Sequence, residues 1–269
     1  MPEGDNLARI ADVLRASLLE RTISRVGGRA GDRLQRLLGE RVSSVEARGK
    51  HLLIGFAGGL TLHTHLGLHG SWHRYRSGER WRRPATRAAV VIETAGAVAV
   101  CFDPTTVELL ETRALAVHPV LSRLGPDAAA DQFDADAAVL RLRQPSRARM
   151  PIGDALLDQT VLAGVGNVYR SELCFIERVN PLAPVGTLDD ATLRRLVERA
   201  SALLRANLAG GRRVTTPAGT AGDLYVYGRT GRPCRRCGTA VTGAMTVGRR
   251  RAYWCPRCQP QPLLPAPGS

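Results

Sequence analysis

Four of the six cysteines fall as Cys234-x2-Cys237 and Cys255-x2-Cys258, with seventeen residues between the pairs. Each pair can approach one metal ion from a tight turn while the intervening stretch forms a hairpin, which is the spacing of a tetrahedral four-cysteine zinc site. Pro233, Gly238 and Pro256 suit such turns. Disulfides would need an oxidising compartment. The start, MPEGDNLARI, carries no apolar signal segment, and no apolar run approaches the ~20 residues of a membrane helix. The expectation is a cytoplasmic chain with one structural zinc ion and no membrane partner. Cys101, in AVAVCF, and Cys174, in a helical pattern, read as core residues without chemistry.

Thirty-eight basic residues against 24 acidic ones give a formal charge of +14, spread along the chain. Such a surface favours a polyanion, nucleic acid before membrane. Lys50 is the single lysine among the basic residues. Arginine stays protonated in any protein setting, whereas lysine is compact and can lose its proton.

Leu7, Ile10, Ala11, Leu14 and Leu18 recur at helical spacing and predict one amphipathic helix over residues 5–19. From about Arg41 to Trp72 the pattern alternates with period two, and RAAVVIE and GAVAVCF continue it. Residues 1–120 therefore read as a β-sandwich or barrel led by a helix. After Gly125-Pro126-Asp127 helical spacing returns at Ala137–Leu142, Asp154–Leu162, Asn167–Glu177 and Leu188–Leu208, the last opened by a Thr187-x-x-Asp190 cap and closed by Gly210-Gly211. The expected division is an α+β multidomain chain: a sandwich domain over 1–120, a helical domain over 121–225, a zinc hairpin over 226–260 and a disordered Pro-rich tail over 261–269. Asn167 follows Gly164 and Gly166 at a helix start, where backbone N–H groups can hold a phosphate; taken alone, it reads more readily as an ordinary cap.

MPEG, RGKHLL, HLGLHGSW, LGPDAAADQFDADA, LAGVGNVYRSE, and VYGRTGRPCRRCG through YWCPRCQ resemble, in order and spacing, the bacterial formamidopyrimidine-DNA glycosylase and endonuclease VIII family. The resemblance covers nearly the whole chain. It implies a β-sandwich with a leading helix, a helix-two-turns-helix domain and a zinc-finger hairpin, acting as a monomer on damaged DNA, duplex or single-stranded. By resemblance Pro2 is the nucleophile, its secondary amine exposed once Met1 is removed, and Glu3 is the general acid. Lys50 resembles the family lysine that pairs with a phosphate near the lesion and moves protons during strand cleavage. Arg250, five residues before the third cysteine, resembles the hairpin arginine that contacts the flanking phosphate, with Arg249 and Arg251 as further phosphate contacts. Asn167 is then a DNA contact, and Leu68, with His69 beside it, fills the hole left by a flipped base.

The branch specialised for oxidised purines carries an Arg-Phe-Gly segment where this chain has Asp103-Pro104-Thr105-Thr106-Val107-Glu108, and a longer loop than Thr216–Tyr225. Both differences resemble the endonuclease VIII branch, which prefers oxidised pyrimidines. Asn6 stands where the family often has glutamate, which bears on base preference. The alternatives are a non-catalytic zinc-finger protein that binds damaged DNA, or an 8-oxoguanine-preferring member of the family. His63, His65, His69 and His73 have no carboxylate or cysteine beside them in sequence and read as surface or DNA-facing histidines rather than a second metal site.

Overall fold

Leu7, Ala11, Leu14 and Leu18 line one side of α1 (Gly4–Leu18) and are fully buried, so the helix is anchored by its apolar stripe. In the computed structural model, which describes residues 2–218, 220, 222–246 and 250–261, the chain forms two units, Met1–Arg123 and Leu124–Ser269.

The first unit continues with β1 (Ile23–Gly27), β2 (Val42–Arg48), β3 (His51–Phe56), β4 (Leu60–His65), β5 (Ser71–Tyr75), β6 (Ala88–Thr94), β7 (Ala97–Phe102) and β8 (Thr106–Glu111). They pair antiparallel in two sheets, ordered β1-β6-β7-β5 and β2-β3-β4-β8. Two separate sheets make this a sandwich, which decides between the two architectures the alternation allowed. Val45, Leu52, Ile54 and Leu62 from one sheet meet Ile23, Val90, Ile92 and Ala99 from the other, and the α1 stripe packs into the same core. β1 escapes sequence reading because only two apolar residues, Ile23 and Val26, are buried along its five. Cys101 is wholly inside this core, and burial pushes its thiol far up.

The second unit contains α2 (Ala135–Leu142), α3 (Ile152–Ala155), α4 (Asn167–Ile176), α5 (Asp190–Ala206), and the hairpin β9 (Thr242–Met245) with β10 (Arg251–Trp254). The helix expected over Asp154–Leu162 stops at Ala155. Asp158 Oδ1 accepts from the Thr160 amide at 2.9 Å and its hydroxyl at 2.7 Å, a local turn that competes with helix continuation. α5 is capped by Asp189, whose Oδ1 accepts from the Thr192 amide at 2.7 Å, and not by Thr187, whose hydroxyl donates to the Pro184 carbonyl. Of the tail expected to be disordered, 262–269 lie outside the described residues.

The segment leading into the hairpin is fixed by a residue the sequence reading passed over. Glu172, wholly buried in α4, accepts from the backbone amides of Tyr225 (2.8 Å), Val226 and Tyr227 (both 2.9 Å), and from the Thr215 hydroxyl. A buried carboxylate is tolerated only when its oxygens are satisfied in this way. Glu172→Gln presents an amino group to some of these donors and should cost about 3 kcal/mol locally. Deuterium exchange at the Tyr225–Tyr227 amides should then speed up about a hundredfold, and unchanged protection there would refute this role.

Candidate functional site

In the first unit Pro2, Glu3, Leu68 and His69 gather at the start of α1, whereas Lys50 does not line the cavity there. Glu3 is the N-cap residue: its carbonyl accepts from the Asn6 and Leu7 amides, and its side chain is fully buried. Pro2, half-buried just before it, opens onto a cavity of about 560 Å³ that is also lined by Asn6, Leu68, His69, Arg83 and Arg87. Leu68 is 54% exposed, unusual for a leucine and suited to an apolar wedge. Met1 lies outside the described residues.

Lys50 stands with Gly49 in the two-residue turn between β2 and β3, where Arg48 faces His51 across the ladder. Gly49 has φ 56°, which begins a tight turn that suits the sheet twist, so the lysine sits ahead of the strand rather than within it. It is half-buried.

The second unit holds the other groups. Asn167 is the first residue of α4. Its Nδ2 donates to the Arg251 carbonyl at 3.0 Å, and its Oδ1 accepts from the buried Arg170. Arg170 also lies 3.4 Å from the Thr246 hydroxyl and from Asp154, and Thr246 donates through its amide and hydroxyl to the Arg250 carbonyl at 3.1 and 3.0 Å. The helix start therefore grips both arms of the hairpin at its tip, leaving the Arg250 and Arg251 side chains exposed. Arg249 lies outside the described residues. Arg170, Glu172 and Thr246 had no sequence signal beyond their place in or near recognised motifs.

The four cysteine sulfurs lie within 4.8 Å of one another. Cys234 to Cys258 is 3.9 Å and Cys237 to Cys255 is 3.5 Å, far beyond a disulfide bond and close to the ~3.8 Å that tetrahedral Zn–S bonds impose. The donor set fits a single zinc ion. Cys174, by contrast, is sealed in the helical core, and burial pushes its thiol up to about 12.

The histidine expectation needs correction. His63 is 2% exposed rather than facing solvent, and β8 brings Glu108 opposite it. His63 Nδ1 lies 2.7 Å and His118 Nε2 3.2 Å from Glu108 Oε2. This resembles a ligand triad, but the amides of Val120 and Leu121 donate to His118 Nδ1, so Nε2 carries the hydrogen and donates to the carboxylate. The group is a hydrogen-bonded chain: Glu108 accepts from His118 and His63, and His63 Nε2 accepts from His51 Nδ1 at 2.8 Å.

Two family descriptions match this chain: the formamidopyrimidine-DNA glycosylase N-terminal domain over residues 1–109 and the H2TH domain of the same enzymes over 124–218. The chain belongs to the formamidopyrimidine-DNA glycosylase family. It is 42% identical to a Streptomyces coelicolor protein named "Probable endonuclease 8 2", over all of this chain and 97% of that one. It is also 42% identical to the Mycolicibacterium smegmatis "DNA-(apurinic or apyrimidinic site) lyase Nei2", over 96% of this chain and 99% of that one. The fold matches that of Lactococcus lactis Fpg (MutM), solved with DNA containing N7-benzyl-Fapy-dG, with a TM-score of 0.82, 22% identity, and coverage of 97% of this chain and all of that one. The family's sandwich, helix-two-turns-helix domain and cysteine hairpin are thus all present. Among the described residues no helix is long and apolar enough to cross a membrane.

Burial lowers the His51 pKa from 6.5 to about 3, helped by the charges of neighbouring His65, His63 and His118 and of Lys50. Burial also lowers His63, outweighing Glu108. A histidine held neutral in the fold protonates more readily when unfolded, so its contribution is full above pH 6.5 and is lost as pH falls from 6.5 towards 3. The first unit should lose about 2 kcal/mol between pH 6.5 and 4.5, most of it above pH ~5, where carboxylates are still largely ionised. Urea unfolding of Trp254→Phe protein reports this unit alone through Trp72 and Trp81. His51→Asn, which keeps a donor but cannot titrate, should flatten the dependence, and an equal slope in both proteins would overturn the assignment.

Proposed function

We propose that this chain is a bifunctional DNA glycosylase and AP lyase that removes oxidised bases, pyrimidines in preference, and cuts the strand by β,δ-elimination. The observation that carries the reading is Pro2 at the mouth of a cavity also lined by the exposed Leu68, in a chain so close to a protein named as an abasic-site lyase. With Met1 removed, the neutral Pro2 amine attacks C1′ of the damaged nucleotide. The bond from C1′ to the base breaks, the base leaves with the electron pair and takes up a proton, and the attacking nitrogen gives up its N–H proton. Glu3 protonates the ring oxygen as the sugar opens, and the nitrogen lone pair forms an iminium at C1′. The iminium acidifies C2′, so loss of a proton there expels the 3′ phosphate; a second elimination expels the 5′ phosphate. Lys50 holds a phosphate beside the lesion and moves protons between these steps. Leu68 and His69 occupy the stack vacated by the flipped base.

Asn167, Arg249, Arg250 and Arg251 contact the DNA backbone, Arg250 at the phosphate flanking the lesion. In this division of labour 1–120 carry the chemistry, and 121–225 and 226–260 bind DNA. Cys234, Cys237, Cys255 and Cys258 would hold one zinc ion whose contribution is structural: it closes the hairpin that presents Arg250. The enzyme works as a monomer on damaged DNA in the cytoplasm. The absence of an Arg-Phe-Gly segment at Asp103–Glu108 and the short Thr216–Tyr225 loop support a pyrimidine preference, since a large purine needs more pocket and wedge.

The test is initial rates at one salt concentration on matched oligonucleotides carrying thymine glycol, 5-hydroxyuracil, 8-oxoguanine or an abasic site. The pyrimidine lesions should be released about tenfold faster than 8-oxoguanine, with phosphate at both ends of the gap. Glu3→Gln should slow base release about 10²-fold or more. Faster release of 8-oxoguanine would overturn the preference, and binding without cleavage of any substrate would leave a damage-binding protein instead.

A further inference from the structure

The proposed wedge stands on the 66–70 loop between β4 and β5, which is anchored at its start by the buried Leu66 and closed by the Gly70 amide donating to the Leu66 carbonyl at 2.9 Å, while Leu68 itself stays exposed. Beyond that anchor, its shape depends on the next loop. Thr105 donates through its amide (2.8 Å) and hydroxyl (3.0 Å) to the His65 carbonyl. Gly67, at φ +59°, lies so close that a Cβ there would be 2.3 Å from the Thr105 methyl, and a Cβ on Gly70 would be 2.9 Å from the Asp103 carbonyl oxygen. At the far end Arg83 donates to the His69 carbonyl at 3.0 Å, and the same nitrogen lies 3.4 Å from Asp103 Oδ2. Arg87 grips that oxygen at 2.7 Å, and Arg29 approaches the other at 4.0 Å. Asp103 itself has φ 45°, uncommon outside glycine, and this turns its carboxylate and its carbonyl towards different partners. The hydrogen bond from Arg87 holds the carboxyl below its ordinary range, so the anion persists at any working pH.

We propose that Arg83 and Asp103 form a positioning strap: Asp103, clamped by Arg87, orients the Arg83 guanidinium, which holds the His69 carbonyl and so keeps Leu68 projecting before DNA arrives. The inference rests on the wedge reading above. Its physical basis is preorganisation. A short loop that must be ordered at the moment a base is flipped loses conformational freedom then, whereas a strapped loop has already lost it in the free enzyme. Arg83 and Asp103 are both partly exposed, where an ion pair adds little to overall stability. The geometry therefore bears on loop position more than on folding. Arg83 acts through Leu68 and His69 and is a positioning residue.

The distinguishing substrate is single-stranded DNA, in which there is no opposite strand and no continuous stack to prop open. The experiment measures the ratio of lesion release from duplex to release from the same strand alone, together with the fluorescence of 2-aminopurine placed opposite the lesion. In Arg83→Ala the ratio should fall about tenfold and the 2-aminopurine signal should shrink. Leu68→Ala should do the same, and Arg83→Ala should add nothing in its presence, because the two act as one device. Arg83→Gln keeps a donor for the His69 carbonyl and should recover part of the ratio; it also serves if the alanine variant folds poorly. A ratio that falls in Leu68→Ala and stays at the wild-type value in both Arg83 variants overturns the strap while the wedge stands. Loss shared equally by both substrates also overturns it, since that marks a general structural or phosphate contact. A normal ratio in Leu68→Ala refutes the wedge, and the strap with it.

Discussion

A buried carboxylate has to find all of its hydrogen bonds inside the protein, and the second unit is arranged around one that does. Glu172 gathers three successive backbone amides of the segment approaching the hairpin. Two turns of α4 then do the rest, because Asn167 and Arg170 reach the tip of the same hairpin through Arg251 and Thr246. The hairpin has only a small core of its own, in which Val226, Cys234, Val241 and Cys255 pack on Phe175. Its exposed arginines are thus placed by buried polar bonds and by the four cysteines more than by apolar area. Directional bonds suit that task better than non-directional burial, since they fix where a side chain points.

The first unit solves a related problem with charge at its surface. One sheet face is apolar and closes the sandwich. The other carries His51, His63, His65 and Glu108, and the hydrogen-bonded chain from His118 to His51 allows imidazoles to be buried there neutral. At the opening of the cavity, Asp103 draws Arg29, Arg83 and Arg87 around one carboxylate. The guanidinium groups there are thus held by a carboxylate of the protein itself.

Much of this was legible in the sequence because it depends on local spacing. Two Cys-x2-Cys pairs reveal a four-sulfur cluster and period-two alternation reveals a sheet, whereas Leu68 is picked out only by the resemblance to the family. What escaped depends on partners distant in the chain. A sequence shows that Arg170 and Glu172 are charged, but not that they are buried or that Thr246 and residues 225–227 satisfy them. His63 acquires Glu108 and His118 from 45 and 55 residues away, so the absence of a neighbouring carboxylate in sequence said nothing about its surroundings. The helix expected past Ala155 failed for a local reason, since Asp158 offers the backbone a competing turn, and the period of apolar residues cannot weigh that competition.

The chain's composition sharpens the central chemical claim, that the terminal proline is the nucleophile. With every other basic side chain an arginine or histidine, the amines able to form an iminium with an opened sugar are the chain's N-terminus and Lys50. Borohydride reduction of the complex with an abasic-site oligonucleotide makes such a bond permanent, and proteolysis with mass spectrometry then locates it. The account predicts the deoxyribose remnant on the nitrogen of Pro2, in a peptide lacking Met1. A remnant on Lys50, with Pro2 unmodified, would contradict it.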